Sequence, residues 1–202
     1  GDVVELTDPD GRFVARGLAD PVPPIGVRVL TRDPAERLDA ALLARRLRAA
    51  RDLRARFLDL SRTTAYRLVN GEGDGLPGLV VDRYGAHAAV QCYSRAWHPW
   101  LPAIVEGLLA AVPFEGIVSR DRVRRAPLKG EAPPEGGESS LTVLHGERPP
   151  ENLIVREHGV RFLASLDHGQ KTGLYLDQRD NRRRVQAFAR GADVLNTCSY
   201  TG

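Results

Sequence analysis

Asp193-Val194-Leu195-Asn196-Thr197-Cys198-Ser199-Tyr200-Thr201-Gly202 reads as a short apolar strand running into a turn of small polar residues and glycine. A doubly wound α/β sheet uses this arrangement at the carboxyl end of a strand, where small residues let a nucleoside-like ligand approach the backbone. The segment before it is polar and punctuated: Asp167-His168-Gly169-Gln170-Lys171-Thr172-Gly173-Leu174-Tyr175-Leu176-Asp177-Gln178-Arg179-Asp180-Asn181-Arg182. Residues 176–190 read as a basic helix. Before that, 152–155 and 160–164 flank Glu157-His158-Gly159 as a hairpin.

Further upstream the pattern changes to strands. Tyr66-Arg67-Leu68-Val69, Leu79-Val80-Val81-Asp82 and Ala88-Ala89-Val90-Gln91-Cys92 are each bounded by glycine or polar turns. A helix over 97–111 and a strand at 116–118 follow. Residues 126–150 are rich in proline and glycine and are expected to form an exposed insertion. Asp33-Pro34 is expected to start a helix, as N-cap and first-position proline. Leu38, Leu42, Leu43, Leu47, Ala50, Leu53 and Phe57 follow at helical spacing, with Arg on the other face. Residues 2–31 read as short strands around Asp8-Pro9-Asp10-Gly11, the remnant of a small β-barrel.

The 202 residues are 42% hydrophobic and 27% charged, which excludes a wholly disordered chain, a collagen or a disulfide scaffold. No apolar run approaches the ~20 residues of a membrane helix. Two cysteines, Cys92 and Cys198, point to a reducing cytoplasm. Methionine is absent altogether, and an internal piece of a longer protein is expected. Of the 29 basic residues 27 are Arg, a bias that permits nucleic-acid binding and equally fits genome composition. The net charge of +3 hides a division. Residues 32–67 carry ten Arg against five acids, and 160–190 carry seven bases against three. Two such blocks are either the mark of a polyanion partner or solvated helix faces.

Several motifs fail on inspection. Gly73-Asp74-Gly75-Leu76-Pro77-Gly78 matches a dinucleotide fingerprint formally, but Leu79-Val80-Val81 follows where a helix belongs. Asn70-x-Glu72-x-Asp74-Gly75 mimics a calcium loop whose twelfth position, Val81, carries no carboxylate. A tight turn using glycine for positive φ explains the segment. There is no nucleophile elbow, and the histidines and cysteines lack metal-ligand spacing.

Taken together, these strings resemble the PUA-containing S-adenosylmethionine-dependent 23S ribosomal-RNA methyltransferases that form 5-methylcytosine. Residues 1–30 are similar to the back half of the PUA barrel, and 66–85 to the signature hairpin of the central domain. Residues 169–179 resemble the opening of the methyltransferase domain, and 194–202 its first cofactor motif. The resemblance implies an α/β chain of three parts. These are a partial PUA-like β-barrel at 1–31, a central α/β RNA-docking domain at 32–150, and the start of a Rossmann-like class I methyltransferase domain at 151–202.

It also implies a cofactor, S-adenosyl-L-methionine, lined by Gln170, Tyr175, Gln178, Asn196, Ser199, Tyr200 and Thr201. Ribosomal RNA is the implied partner, with Arg46, Arg51 and Lys171 as contacts and a homodimer as a possible assembly. Cytosine C5 is a poor nucleophile, so a thiolate must add at C6 before methyl transfer. Neither Cys92 nor Cys198 stands where the family keeps that thiolate. No catalytic residue is therefore assigned, and the chain alone is expected to be inactive. Two rivals stay open: a non-catalytic RNA-binding platform and a degenerate interaction domain.

Overall fold

The computed structural model describes residues 1–20, 24–120 and 141–197. Three strands, β1 (Val3–Thr7), β2 (Phe13–Ala19) and β3 (Val27–Thr31), form an antiparallel meander in that order. Leu18 and Leu30 turn inward from it to join the main core.

The long helix α1 (Ala40–Phe57) begins six residues later than Asp33-Pro34 predicts. Asp33 caps only a turn, its side chain accepting from the Ala35 amide at 2.8 Å. The carbonyls of Pro34 and Glu36 accept from the Arg16 guanidinium of β2 and are thereby held against the meander. Asp39 is the true N-cap, accepting from the Leu42 amide at 2.9 Å. Leu42, Leu43, Leu47 and Ala50 then form the buried stripe that the spacing predicts.

Five strands make the central sheet, in the order β4 (Ala65–Asn70), β5 (Leu79–Tyr84), β6 (His87–Cys92), β7 (Gly116–Ser119) and β8 (Thr142–Gly146). A 3-10 turn at Gly71–Asp74 joins β4 to β5, with Gly75 and Gly78 at φ 69° and 75°. The β6–β7 pair is parallel and is crossed by α2 (Leu101–Ala111), which follows a 3-10 turn at Arg95–Trp100 containing Pro99. The expected helix over 97–111 is therefore α-helical only from Leu101. The other neighbouring pairs are antiparallel.

β8 is exposed, as expected for this stretch, but it is a strand rather than irregular chain. Its residues pair with β7 as an edge strand, and edge strands are mostly solvent-facing and read as polar loop. Residues 126–140 of that stretch lie outside the described residues.

Both faces of the sheet are covered. On one, Leu79, Val81, Ala88 and Val90 meet α1 and α2. On the other, Tyr84, Ala89 and Val118 meet Val155, Ala164, Leu166 and Leu174. The two-residue period of β5 therefore sends Leu79 and Val81 to the helices, and Asp82 and Tyr84 to the opposite side.

That opposite layer opens with the hairpin β9 (Leu153–Glu157) and β10 (Val160–Ala164), turned by His158 and Gly159 at φ 50° and 90°. A 3-10 turn at Leu176–Gln178 leads into α3 (Arg179–Phe188). Residues 193–196, expected as a strand, form no ladder with any described strand, and Val194 and Leu195 are exposed. A strand exists only where its N–H and C=O groups find a neighbour, and the described chain offers none there.

Candidate functional site

Residues 165–178 form a compact loop lying against the central sheet. Gly169 packs so tightly that a Cβ there would stand 2.3 Å from the Ser165 carbonyl and 2.6 Å from that of Gly173. Lys171 adopts φ 57°, a left-handed conformation that costs a non-glycine residue of order 1 kcal/mol or more. Two anchors hold it. At the end of β7, Arg120 donates to the carbonyls of Lys171 at 2.5 Å and Gly169 at 2.6 Å. From β5, buried Asp82 accepts from the Thr172 hydroxyl at 2.6 Å, and Tyr84 lies 2.8 Å from the same hydroxyl.

The carboxylate of Asp82 also accepts from Arg67 Nε at 2.9 Å and Nη2 at 3.1 Å. That hydrogen-bonded partner raises the pKa of Arg67 and fixes its charge. Burial, reinforced by the nearby Asp82 charge, pushes the Tyr84 hydroxyl well above the usual tyrosine range, so it stays a neutral donor.

Beside this network opens a cleft of about 370 Å³ lined by Arg54, Arg67, Lys171 and Arg179 against the carboxylates of Asp82 and Asp177, with Leu58 and Leu174 among its apolar walls. The Lys171 ammonium stands 5.6 Å from the centre of the Tyr175 ring. Arg54 is occupied by a bidentate pair with Asp74 at 2.5 and 2.7 Å. A basic cleft with apolar walls suits a ligand that carries both anionic charge and flat apolar surface.

Comparison with known proteins matches two family models in the order the fold suggests. A PUA-like domain covers residues 1–32, and an S-adenosylmethionine-dependent methyltransferase covers 134–202. The ribosomal RNA large subunit methyltransferase I of Shigella boydii is 37% identical over the whole chain, which covers 50% of that relative. The ribosomal RNA large subunit methyltransferase of Deinococcus radiodurans is 39% identical over 209 aligned residues, the whole of this chain and 50% of the relative.

Over its whole length the chain is similar to PUA-containing S-adenosylmethionine-dependent methyltransferases. It spans about half the length of the curated relatives it matches. Among solved structures, a chain from Streptococcus mutans described as a SAM-dependent methyltransferase superposes with TM-score 0.75. Its identity is 23%, over 91% of this chain and 45% of that one. A methyltransferase complexed with SAH gives 0.76 at 23%, over 91% of this chain and 44% of that one. At that identity the likeness establishes the fold.

Of the residues expected to line this family's cofactor, the loop brings together Gln170 and Tyr175, whose hydroxyl donates to the Gln170 amide oxygen. Gln178 faces Asn181, which donates to it at 2.8 Å. Asn196 is exposed in an irregular segment and joins none of them. Ser199, Tyr200 and Thr201, like Cys198, lie outside the described residues. Among the described residues, Gln170 and Tyr175 thus meet in the loop, and the Gln178 side chain turns instead to Asn181. That donor set fits a nucleoside-bearing cofactor, because a ring can stack and an amide can read base edges.

The RNA candidates divide. Lys171 is exposed at the cleft. Arg46 corrects the reading of its helix: it donates to the carbonyls of Gly75 and Leu30 and to Glu36, and so ties α1 to β3 and the β4–β5 turn. Arg51 shares its guanidinium between Asp52 and the Ala111 carbonyl. The exposed arginines of α1 are Arg45, Arg48 and Arg56. Helical phase puts all three opposite Leu43 and Leu47, a signal already present in the spacing.

The sequence reading also missed Asp82, Thr172, Tyr84 and Arg120. Asp82 carried a clue, a carboxylate inside an otherwise apolar strand, since such a group is buried only when paired.

Proposed function

We propose that this chain is the RNA-docking and cofactor-facing part of an enzyme that methylates C5 of a cytosine in large-subunit ribosomal RNA. The observation that carries the reading is the glycine-tight loop at 169–178, where Gln170 and Tyr175 meet beside a basic cleft, within a chain similar to this family. The relatives in Shigella boydii and Deinococcus radiodurans carry ribosomal-RNA methyltransferase names and support the substrate class.

In this reading residues 1–31 are a PUA-like part, 32–150 the docking domain and 151–202 the start of the methyltransferase domain. S-adenosylmethionine supplies an electrophilic methyl group on a sulfonium. Gln170, Tyr175 and Gln178, completed by Asn196, Ser199, Tyr200 and Thr201, hold its adenosine and methionine portions. Lys171 and Arg51 meet RNA phosphates together with Arg48, Arg56, Arg183 and Arg184, while Arg46 serves the fold. Cys92 is buried inside β6 and plays no part in the chemistry. The enzyme is placed in the cytoplasm, and a homodimer is its proposed assembly, tested by sedimentation. Among the described residues no helix is long and apolar enough to cross a membrane.

Methylation at C5 must expel the C5 hydrogen. Full-length protein incubated with S-adenosylmethionine and rRNA carrying tritium at cytosine C5 is therefore expected to release tritium in step with methyl incorporation. Methyl incorporation without tritium release would refute the C5 assignment. RNA binding without any methyl transfer would favour a non-catalytic platform.

A further inference from the structure

We infer that Asp82 and Thr172 are positioning residues, through which the central sheet sets the geometry of the cofactor-facing loop. The inference rests on the proposed cofactor role of that loop.

Thr172 is 1% exposed and Asp82 and Tyr84 are at 0%, so no water competes for their polar atoms. The ionised carboxylate can only accept, and this fixes the direction of every bond in the network. Arg67 and the Thr172 hydroxyl both donate to Asp82. The single Thr172 proton being spent, its oxygen accepts from Tyr84. The Tyr84 oxygen in turn accepts from the Leu174 amide at 3.2 Å. A one-way chain therefore runs from the loop backbone at Leu174, through two hydroxyls, to a strand of the sheet. Chains of this kind polarise one another, and breaking one link leaves the others buried and unsatisfied.

The network grips the loop at Thr172 and Leu174, and Arg120 grips it again at Gly169 and Lys171. Gln170 lies between the two Arg120 grips, and Tyr175 immediately follows the grip at Leu174. A strained Lys171 between two anchors is what an over-determined loop predicts. Side chains that must meet a ligand to within a fraction of an ångström need such support from a rigid element.

The test uses the full-length protein with Thr172→Val, which keeps the shape and removes the hydroxyl, and Thr172→Ser, which restores the hydroxyl. Amide hydrogen exchange, S-adenosylmethionine affinity by calorimetry, and kcat and KM are read together. Thr172→Val is expected to speed exchange at 169–176 at least tenfold while leaving 87–92 unchanged. It is expected to weaken cofactor affinity about tenfold, with KM for the cofactor rising more than kcat falls. Thr172→Ser is expected to recover most of both effects.

Faster exchange with unchanged cofactor affinity would overturn the positioning role. Affinity lost equally in the Val and Ser variants would overturn it as well, since the hydroxyl would then be irrelevant. If the unsubstituted protein binds no S-adenosylmethionine, the functional reading fails, and the inference falls with it.

Discussion

Asp74 accepts three hydrogen bonds: two from Arg54, and one from the Asn70 amide at 2.6 Å. Its side chain is 4% exposed and that of Arg54 14%, so the pair is shielded from solvent. Removing one partner of such a pair strands the other charge. Asp74→Ala is expected to lower unfolding free energy by about 3 kcal/mol, read as a lower urea midpoint at unchanged slope. A loss under about 1 kcal/mol would mean that Arg54 finds water. Gly116 offers a steric test instead. A Cβ there would stand 2.0 Å from the Glu147 carbonyl, where β7 meets the end of β8. Backbone cannot step aside as a side-chain tip can, so Gly116→Ala is expected to destabilise by about 3 kcal/mol. Gly26 has nothing within 4 Å of its added Cβ, and Gly26→Ala is the control, expected within about 0.5 kcal/mol.

At the scale of elements, α3 has no buried residue and is attached to its surroundings by polar contacts. Arg182 donates to both carboxylate oxygens of Glu157 on β9, at 2.7 and 2.8 Å, and to the Tyr175 carbonyl at 2.8 Å. It also stands over the Phe162 ring of β10 at 5.4 Å. Glu157 is 3% exposed, and desolvation holds its carboxyl above the usual glutamate range despite the guanidinium. A carboxyl whose pKa is raised by folding contributes stability at low pH and loses it as pH rises through the folded-state value. Arg182→Met removes the compensating charge and should raise that value further. The variant is expected to melt progressively lower than the parent as pH rises above the ordinary glutamate range, with α3 exchanging faster. A constant offset across that rise in pH would show that Glu157 has moved into water.

For the molecule as a whole, two helices present exposed arginines: Arg48 and Arg56 on α1, and Arg183 and Arg184 on α3. Binding of structured rRNA by this chain is expected to fall steeply with salt, by about −0.7 to −0.9 in log–log slope per phosphate neutralised. The Arg48→Ala/Arg56→Ala pair should flatten that slope by roughly two such contacts and leave thermal stability unchanged. Arg46→Ala should do the reverse, because it cuts the link from α1 to Leu30 and Gly75. Fluorescence anisotropy across a salt series decides between them, and a flat series would make the basic blocks solvated faces.

The sequence by itself determined whatever depends on near neighbours. The apolar stripe of α1, the apolar runs of β4 to β6 between their turns, the His158-Gly159 turn and the family strings at 66–85 and 169–179 are patterns within a few turns or pleats. The tertiary structure decided whatever depends on partners far along the chain. Asp33 and Asp39 are both credible caps by composition, and the engagement of Pro34 and Glu36 by Arg16 selects Asp39. The edge strand β8 exists because β7 offers it a ladder, and 193–196 is irregular because no described strand does. Arg46 faces carbonyls 16 and 29 residues away, and Thr172 meets Asp82 across 90 residues. Hydrophobic periodicity reports which face of an element is buried. It says nothing of which polar group waits on the other side of the contact, and that pairing exists only once the layers have packed.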